Sequence, residues 1–214
     1  MREQMIQKIL NEKAIAIVRG IYGEECLHLA QAMYEGGIRL LEVTFDQKSA
    51  AERMRTCETI RLLNRELGDK MAFGAGTVTS VEMVEMAREA GAKFIISPDT
   101  NEAVIRATVE AGMVSVPGAL TPTEIAYAHN CGADFVKLFP ANAMGPAYLK
   151  SIVAPLSHVR ILAVGGVDGS TVKDYMSAGA VGVGVAGCLF KKEWVQAGEW
   201  DRVTEVCRKF AASL

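Results

Sequence analysis

Ala90-Gly91-Ala92-Lys93-Phe94-Ile95-Ile96, Ala111-Gly112-Met113-Val114-Ser115-Val116 and Cys131-Gly132-Ala133-Asp134-Phe135-Val136 share one grammar. In each, a small residue and a glycine close a helix, and a mainly apolar run follows. Gly91, Gly112 and Gly132 recur about every 20 residues, the length of one helix plus one strand. Gly36-Gly37-Ile38-Arg39-Leu40-Leu41-Glu42-Val43 repeats the pattern upstream, and Ala178-Gly179-Ala180-Val181-Gly182-Val183 repeats it downstream. A unit repeated in this way builds a parallel sheet with crossover helices.

Working outward from that stretch gives eight candidate strands, near 14–19, 38–44, 71–75, 94–97, 113–117, 135–139, 160–164 and 181–185. Helical patterns lie between them, including Glu24 to Tyr34, Ser80 to Ala90, Asn101 to Ala111 and Pro122 to Asn130. Thr79 and Thr100 are suitable N-caps, and Glu82 would complete a capping box with Thr79. An opening helix over about 2–11 and a closing one over about 200–212 flank the set. Eight strand–helix units fit a closed barrel better than an open doubly wound sheet. The expected fold is a single (β/α)8 TIM barrel with an extra N-terminal helix, one domain over 1–214.

The 214 residues are half hydrophobic, which suits one domain with a substantial core. A net charge of −2, from 23 basic and 25 acidic residues, gives no electrostatic case for nucleic acid or an anionic membrane surface. Cys26, Cys57, Cys131, Cys188 and Cys207 are scattered and contain no Cys-x-x-Cys pair, the usage of a reducing cytoplasm. The N-terminus lacks a signal-peptide apolar run, and no segment is long and apolar enough to cross a bilayer. The expectation is a soluble, cytoplasmic protein. His28, His129 and His158 fall on helices or near a loop, with no ligand-spaced cluster, so neither a metal nor another cofactor is expected.

In such barrels function sits at the C-terminal ends of the strands, and the polar residues and glycines of this chain gather there. Lys137 interrupts Asp134-Phe135-Val136-Lys137-Leu138-Phe139-Pro140, otherwise a buried strand. A lysine in apolar surroundings falls from a pKa of roughly 10.4 toward neutrality and offers a free amine for Schiff-base chemistry. Glu42, after Leu40 and Leu41, is a second ionisable group in an apolar run and a candidate general acid/base. An ion pair with a neighbouring base is its structural alternative, as snorkelling to water is for Lys137. Gly165-Gly166 after the seventh strand and Gly187-Cys188 after the eighth sit where this fold commonly binds phosphate. Arg19 could fork a carboxylate, and Thr77 could add a hydroxyl and an amide to the same group. The glycine loops alone equally suit a sugar-phosphate isomerase or epimerase, or a non-catalytic phospho-ligand binder.

Six ordered motifs run through the chain: Leu41-Glu42-Val43-Thr44, Gly74-Ala75-Gly76-Thr77-Val78, Ile96-Ser97-Pro98, Val116-Pro117-Gly118, Lys137-Leu138-Phe139-Pro140-Ala141 and Val164-Gly165-Gly166-Val167. Together they resemble the 2-keto-3-deoxy-6-phosphogluconate / 4-hydroxy-2-oxoglutarate aldolase family. The resemblance implies a metal-free class I aldolase on a (β/α)8 barrel, usually a homotrimer. Lys137 matches its Schiff-base lysine and Glu42 its proton-transfer glutamate. Thr77 matches a threonine that holds the pyruvate carboxylate, and Phe139 the aromatic residue beside the lysine. Pro117, at the C-terminal end of the fifth strand and within the fourth motif, is a further candidate substrate-binding position.

The chain departs from the phosphogluconate-type pattern at Asp46, where those enzymes have an arginine, and at Val164 and Cys188, where they have threonine and serine. The branch acting on the galactonate epimer is closer, because it uses an arginine at the end of the first strand, a role Arg19 fits. The implied reaction cleaves a 2-keto-3-deoxy-6-phospho sugar acid to pyruvate and glyceraldehyde 3-phosphate. Arg19 and Thr77 would hold the carboxylate, and Gly165, Gly166, Gly187 and Cys188 the phosphate. A 4-hydroxy-2-oxoglutarate or non-phosphorylated 2-keto acid substrate is the alternative within the family.

Overall fold

The computed structural model describes residues 2–214. Its strands are β1 (Ala14–Val18), β2 (Leu40–Thr44), β3 (Ala72–Gly76), β4 (Phe94–Ile96), β5 (Val114–Val116), β6 (Gly118–Ala119), β7 (Val136–Leu138), β8 (Ile161–Val164) and β9 (Gly182–Val185). Helices α1 (Arg2–Glu12), α2 (Gly23–Glu35), α3 (Ala50–Leu67), α4 (Val81–Glu89), α5 (Glu102–Glu110), α6 (Pro122–Asn130), α7 (Ala141–Val153), α8 (Val172–Ser177), α9 (Lys192–Gln196) and α10 (Trp200–Ala211) alternate with them. All pairings are parallel, in the order β5-β4-β3-β2-β1-β9-β8-β7-β6. The expected barrel with its extra N-terminal helix is the fold.

Nine strands stand where eight were expected, because the fifth is cut in two by Pro117, which has no N–H for the ladder. The two pieces lie at opposite ends of the strand order yet are joined by one residue, so the chain itself closes the ring. Bonds to β7 complete it: the amides of Phe135, Lys137 and Phe139 donate to the carbonyls of Ser115, Pro117 and Ala119 at 3.2, 2.8 and 3.0 Å.

Alternation along each strand sorts side chains into two cores. Leu41, Val43, Phe73, Ala75, Val136 and Leu138 face outward and bury against the helices. Ile15, Leu40, Phe94, Val116, Phe135 and Leu162 fill the barrel. Met5, Ile6 and Ile9 of α1 join this inner cluster and stopper its N-terminal end. Glu42 and Lys137 continue the inward columns of Leu40 and Phe135 by one step of two residues. The period that fills the barrel therefore also delivers the two ionisable groups to its C-terminal half.

The caps differ from expectation. Ser80, not Thr79, caps α4 by accepting from the Met83 amide, and Asn101, not Thr100, caps α5 through the Ala103 and Val104 amides. The capping box falls instead at α6, between Thr121 and Glu124. Thr79 and Thr100 face other duties: the Thr100 hydroxyl donates to the Gly118 carbonyl at 2.7 Å.

Candidate active site

A cavity of about 680 Å³ opens at the C-terminal ends of the strands. Arg19, Glu42, Thr77, Lys137, Phe139, Gly165, Gly166, Gly187 and Cys188 all line it. Pro117 does not: it is spent on the strand break, and Pro98, one strand earlier, lines the wall in its place. Elsewhere, no group of three or more His, Cys, Asp or Glu among the described residues could hold a metal ion.

Lys137 is 7 % exposed and Glu42 1 %. Burial pushes the Lys137 ammonium below its ordinary pKa; Glu42 opposes that shift and Arg19 adds to it. Burial likewise raises the Glu42 carboxyl, against the pull of Lys137 and Arg19. Both shifts favour the uncharged forms, so the amine can act as nucleophile and the carboxyl as acid and base. Glu42 Oε2 is buried without a hydrogen-bond partner, and no ion pair joins Glu42 to Lys137 among the described residues. The Lys137 ammonium instead lies 4.6 Å from the centre of the Phe139 ring.

Gly76 makes room for Glu42. A Cβ on Gly76 would stand 1.5 Å from Glu42 Oε1 and 2.2 Å from its carboxyl carbon. The carboxyl lies across the end of β3, where Thr44 of its own strand pairs with Gly76.

Thr77 follows, with φ +57°, in the left-handed region that a β-branched residue rarely enters. Its hydroxyl accepts from Arg19 Nη2 at 3.1 Å, so the two form one polar corner of the cavity. Asp46 is not part of the lining. Its Oδ1 turns back to accept the Lys48 amide at 2.8 Å, which removes the repulsion an inward carboxylate would exert on an anion.

Gly165 and Gly166, with φ of +101° and +69°, turn the chain sharply after β8. The Gly165 carbonyl accepts the Asn142 amide at 3.1 Å. A Cβ on Gly166 would meet the Asn142 side chain at 2.5 Å, while one on Gly187 would meet nothing within 4 Å. Open backbone at Gly187 thus faces the cavity across from the β8 turn. The Cys188 thiol contacts the Val167 carbonyl at 3.7 Å, and burial, reinforced by Asp168, lifts its pKa to about 11. It is a neutral, weakly donating group, unfit as a nucleophile. Asp168 also lines the cavity, but its Oδ1 is engaged by the amides and hydroxyls of Ser170 and Thr171.

A sequence model of the KDPG and KHG aldolase family matches residues 5–206. The chain belongs to that family. It is an aldolase, and so a lyase. It is 34% identical over 178 residues to the 2-dehydro-3-deoxy-6-phosphogalactonate aldolase of Escherichia coli (strain K12), covering 83% of this chain and 84% of the relative. Its fold superposes on a native KDPGal structure with a TM-score of 0.83 at 31% identity, over 94% of this chain and 93% of the other. A KDPG aldolase from Legionella pneumophila, with pyruvate captured as a covalent carbinolamine, gives a TM-score of 0.84 at 26% identity, over 95% and 96%.

In this aldolase, Gly76, Pro98 and Gln47 are among the residues that reading along the chain does not single out. Gly76 and Pro98 were visible inside motifs, but their duties depend on side chains from other strands. Gln47 donates through Nε2 to the Thr77 carbonyl at 2.8 Å, a contact between two loops 30 residues apart that no local spacing announces.

Proposed function

We propose that the chain is a class I aldolase that cleaves a 2-keto-3-deoxy-6-phospho sugar acid to pyruvate and glyceraldehyde 3-phosphate, with Lys137 forming the Schiff base. The observation that carries this is the pair of buried ionisable groups on one cavity: a desolvated amine and a carboxyl whose Oε2 has no protein partner. Burying two such groups costs several kcal/mol unless a ligand or water completes them, roughly 1–3 kcal/mol for an unsatisfied polar atom alone.

In the scheme the neutral Lys137 amine adds to the C2 ketone, giving a carbinolamine. Glu42 donates a proton to the departing hydroxyl, water leaves, and a protonated imine remains. Glu42, now a carboxylate, takes the proton of the C4 hydroxyl through a water. The C3–C4 electron pair flows into the imine as the C4 carbonyl forms, so the aldehyde leaves and an enamine stays on Lys137. Protonation at C3 and hydrolysis then release pyruvate and the free amine. The imine nitrogen serves as the electron sink, and the scheme uses no cofactor.

Arg19 and Thr77 would hold the substrate carboxylate, Phe139 and Pro98 the walls, and Gly165, Gly166, Gly187 and Cys188 the phosphate. The galactonate-type epimer is the favoured substrate. Arg19 already meets Thr77, Asp46 is turned away, and the relative at 34% identity carries that name. The active unit is a homotrimer of 1–214 domains working in the cytoplasm, as the family resemblance and five free cysteines support. Among the described residues no helix is long and apolar enough to cross a membrane.

Incubation with pyruvate and sodium borohydride, followed by peptide mass spectrometry, tests the reading. A reduced adduct on Lys137 is expected; a folded protein with saturating pyruvate and no adduct would sink it.

A further inference from the structure

Thr77 is the strained point of the polar corner. A non-glycine residue in a sparsely populated backbone region costs about 1–3 kcal/mol, so the surrounding structure must hold it there. Relaxing to an extended conformation would reorient both its amide and its hydroxyl, and Arg19 would lose its 3.1 Å partner.

The restraint comes from the loop after β2. Phe45, buried, sends its amide to the Gly76 carbonyl at 2.8 Å and runs the loop beside the end of β3. The Asp46 carboxylate then folds onto the Lys48 amide. That turn sends Gln47 across to Thr77, where Nε2 donates to the carbonyl at 2.8 Å. On the other side of the amide, the Thr79 hydroxyl donates to Gln47 Oε1 at 3.3 Å. The orientation of the amide is forced, since the Thr77 carbonyl can only accept. Gln47 therefore clasps the chain on both sides of Val78, and it bonds directly to the strained residue.

We infer that Gln47 is a positioning residue for carboxylate recognition: it holds Thr77 in its left-handed conformation so that the Thr77 hydroxyl and Arg19 meet the substrate carboxylate as one pre-assembled corner. The inference rests on the carboxylate-binding role given above to Arg19 and Thr77. It also assigns Asp46 a purpose, shaping the turn that aims Gln47.

The test uses the full chain and pyruvate as probe. The pyruvate concentration that half-saturates borohydride trapping is measured for the parent, Gln47→Ala and Gln47→Met, with KM and kcat for cleavage alongside. Methionine keeps the length and packing of Gln47 but removes the donor. Both variants should raise half-saturation and KM about two- to tenfold, the worth of one hydrogen bond, with kcat held within about twofold. In a Thr77→Gly background, where glycine enters the left-handed region freely, Gln47→Met should add nothing further.

Parent-like half-saturation in Gln47→Met would overturn the inference, as would a full Gln47→Met effect persisting in Thr77→Gly. A fall in kcat at unchanged KM would do the same. Absence of trapping in the parent protein is a different result, since it removes the aldolase scheme itself.

Discussion

Glu42 and Lys137 are held in environments that favour chemistry over stability, and their pH signatures should differ in sign. Glu42 is raised above its ordinary 4.5, so ionising it in the folded state is unfavourable. The folded protein then loses stability as pH rises above 4.5 toward the folded pKa. Glu42→Gln should therefore gain little below pH 4.5 and progressively more above it. Lys137 is lowered from 10.5, so the protonated form is the unfavourable one. Lys137→Met should gain most at acid pH, and its advantage should vanish above 10.5. The double variant should be inactive yet more stable at pH 7 by about 1–4 kcal/mol, judged by urea midpoints across the pH range. Gly76→Ala should act in the opposite direction. Its new methyl displaces the Glu42 carboxyl, which should lower stability by about 1–3 kcal/mol and kcat by about a hundredfold. Unchanged kcat there would mean Glu42 does not need its present position. Lys137 and Glu42 were legible from sequence because a charge inside an apolar run is conspicuous. The duties of Gly76, Pro98 and Gln47 were not, because what they touch comes from other strands and loops.

At the scale of elements, the glycine-and-apolar phrase placed the strands it precedes, β2, β4, β5, β7 and β9, within a few residues, since helix closure by glycine is a local event. Cap assignment failed by one residue at both Thr79 and Thr100, where the neighbouring Ser80 and Asn101 are equally able caps. Choosing between them depends on where the preceding loop is tied down, as Thr100 is to Gly118. Pro117, expected as a substrate-binding position, acts on the ladder and stays out of the cavity lining. Likewise α7 carries a break at Gly145 (φ 76°, followed by Pro146) that the apolar pattern does not register. The opening helix was expected from its amphipathic pattern, but its function as a stopper needed the barrel around it. Ile9, fully buried at that end, makes the role measurable. Ile9→Ala should cost about 2–5 kcal/mol in denaturant unfolding while pyruvate half-saturation stays at the parent value, because the cavity lies at the opposite end of the barrel. A changed half-saturation would mean that the two ends are coupled.

Across the whole molecule the two ends of the barrel divide the labour. One is packed by Met5, Ile6 and Ile9, with Arg2 tied to Asp134 at 2.8 Å, and the other opens as the cavity lined by Lys137 and Glu42. The junction at Pro117 bears on how such a molecule breathes. A sheet with an exposed border can shed its outermost strand, releasing those amides to solvent without disturbing the rest. Here the ring is sewn shut by the polypeptide itself, so among the described residues there is no outermost strand to peel and no bare backbone border to recruit another chain. Hydrogen–deuterium exchange should accordingly find the amides of β1 through β9 opening together, at a free energy near that of global unfolding and within a narrow spread, those flanking Pro117 included. Early release confined to β5 and β6 would reveal a seam that unzips.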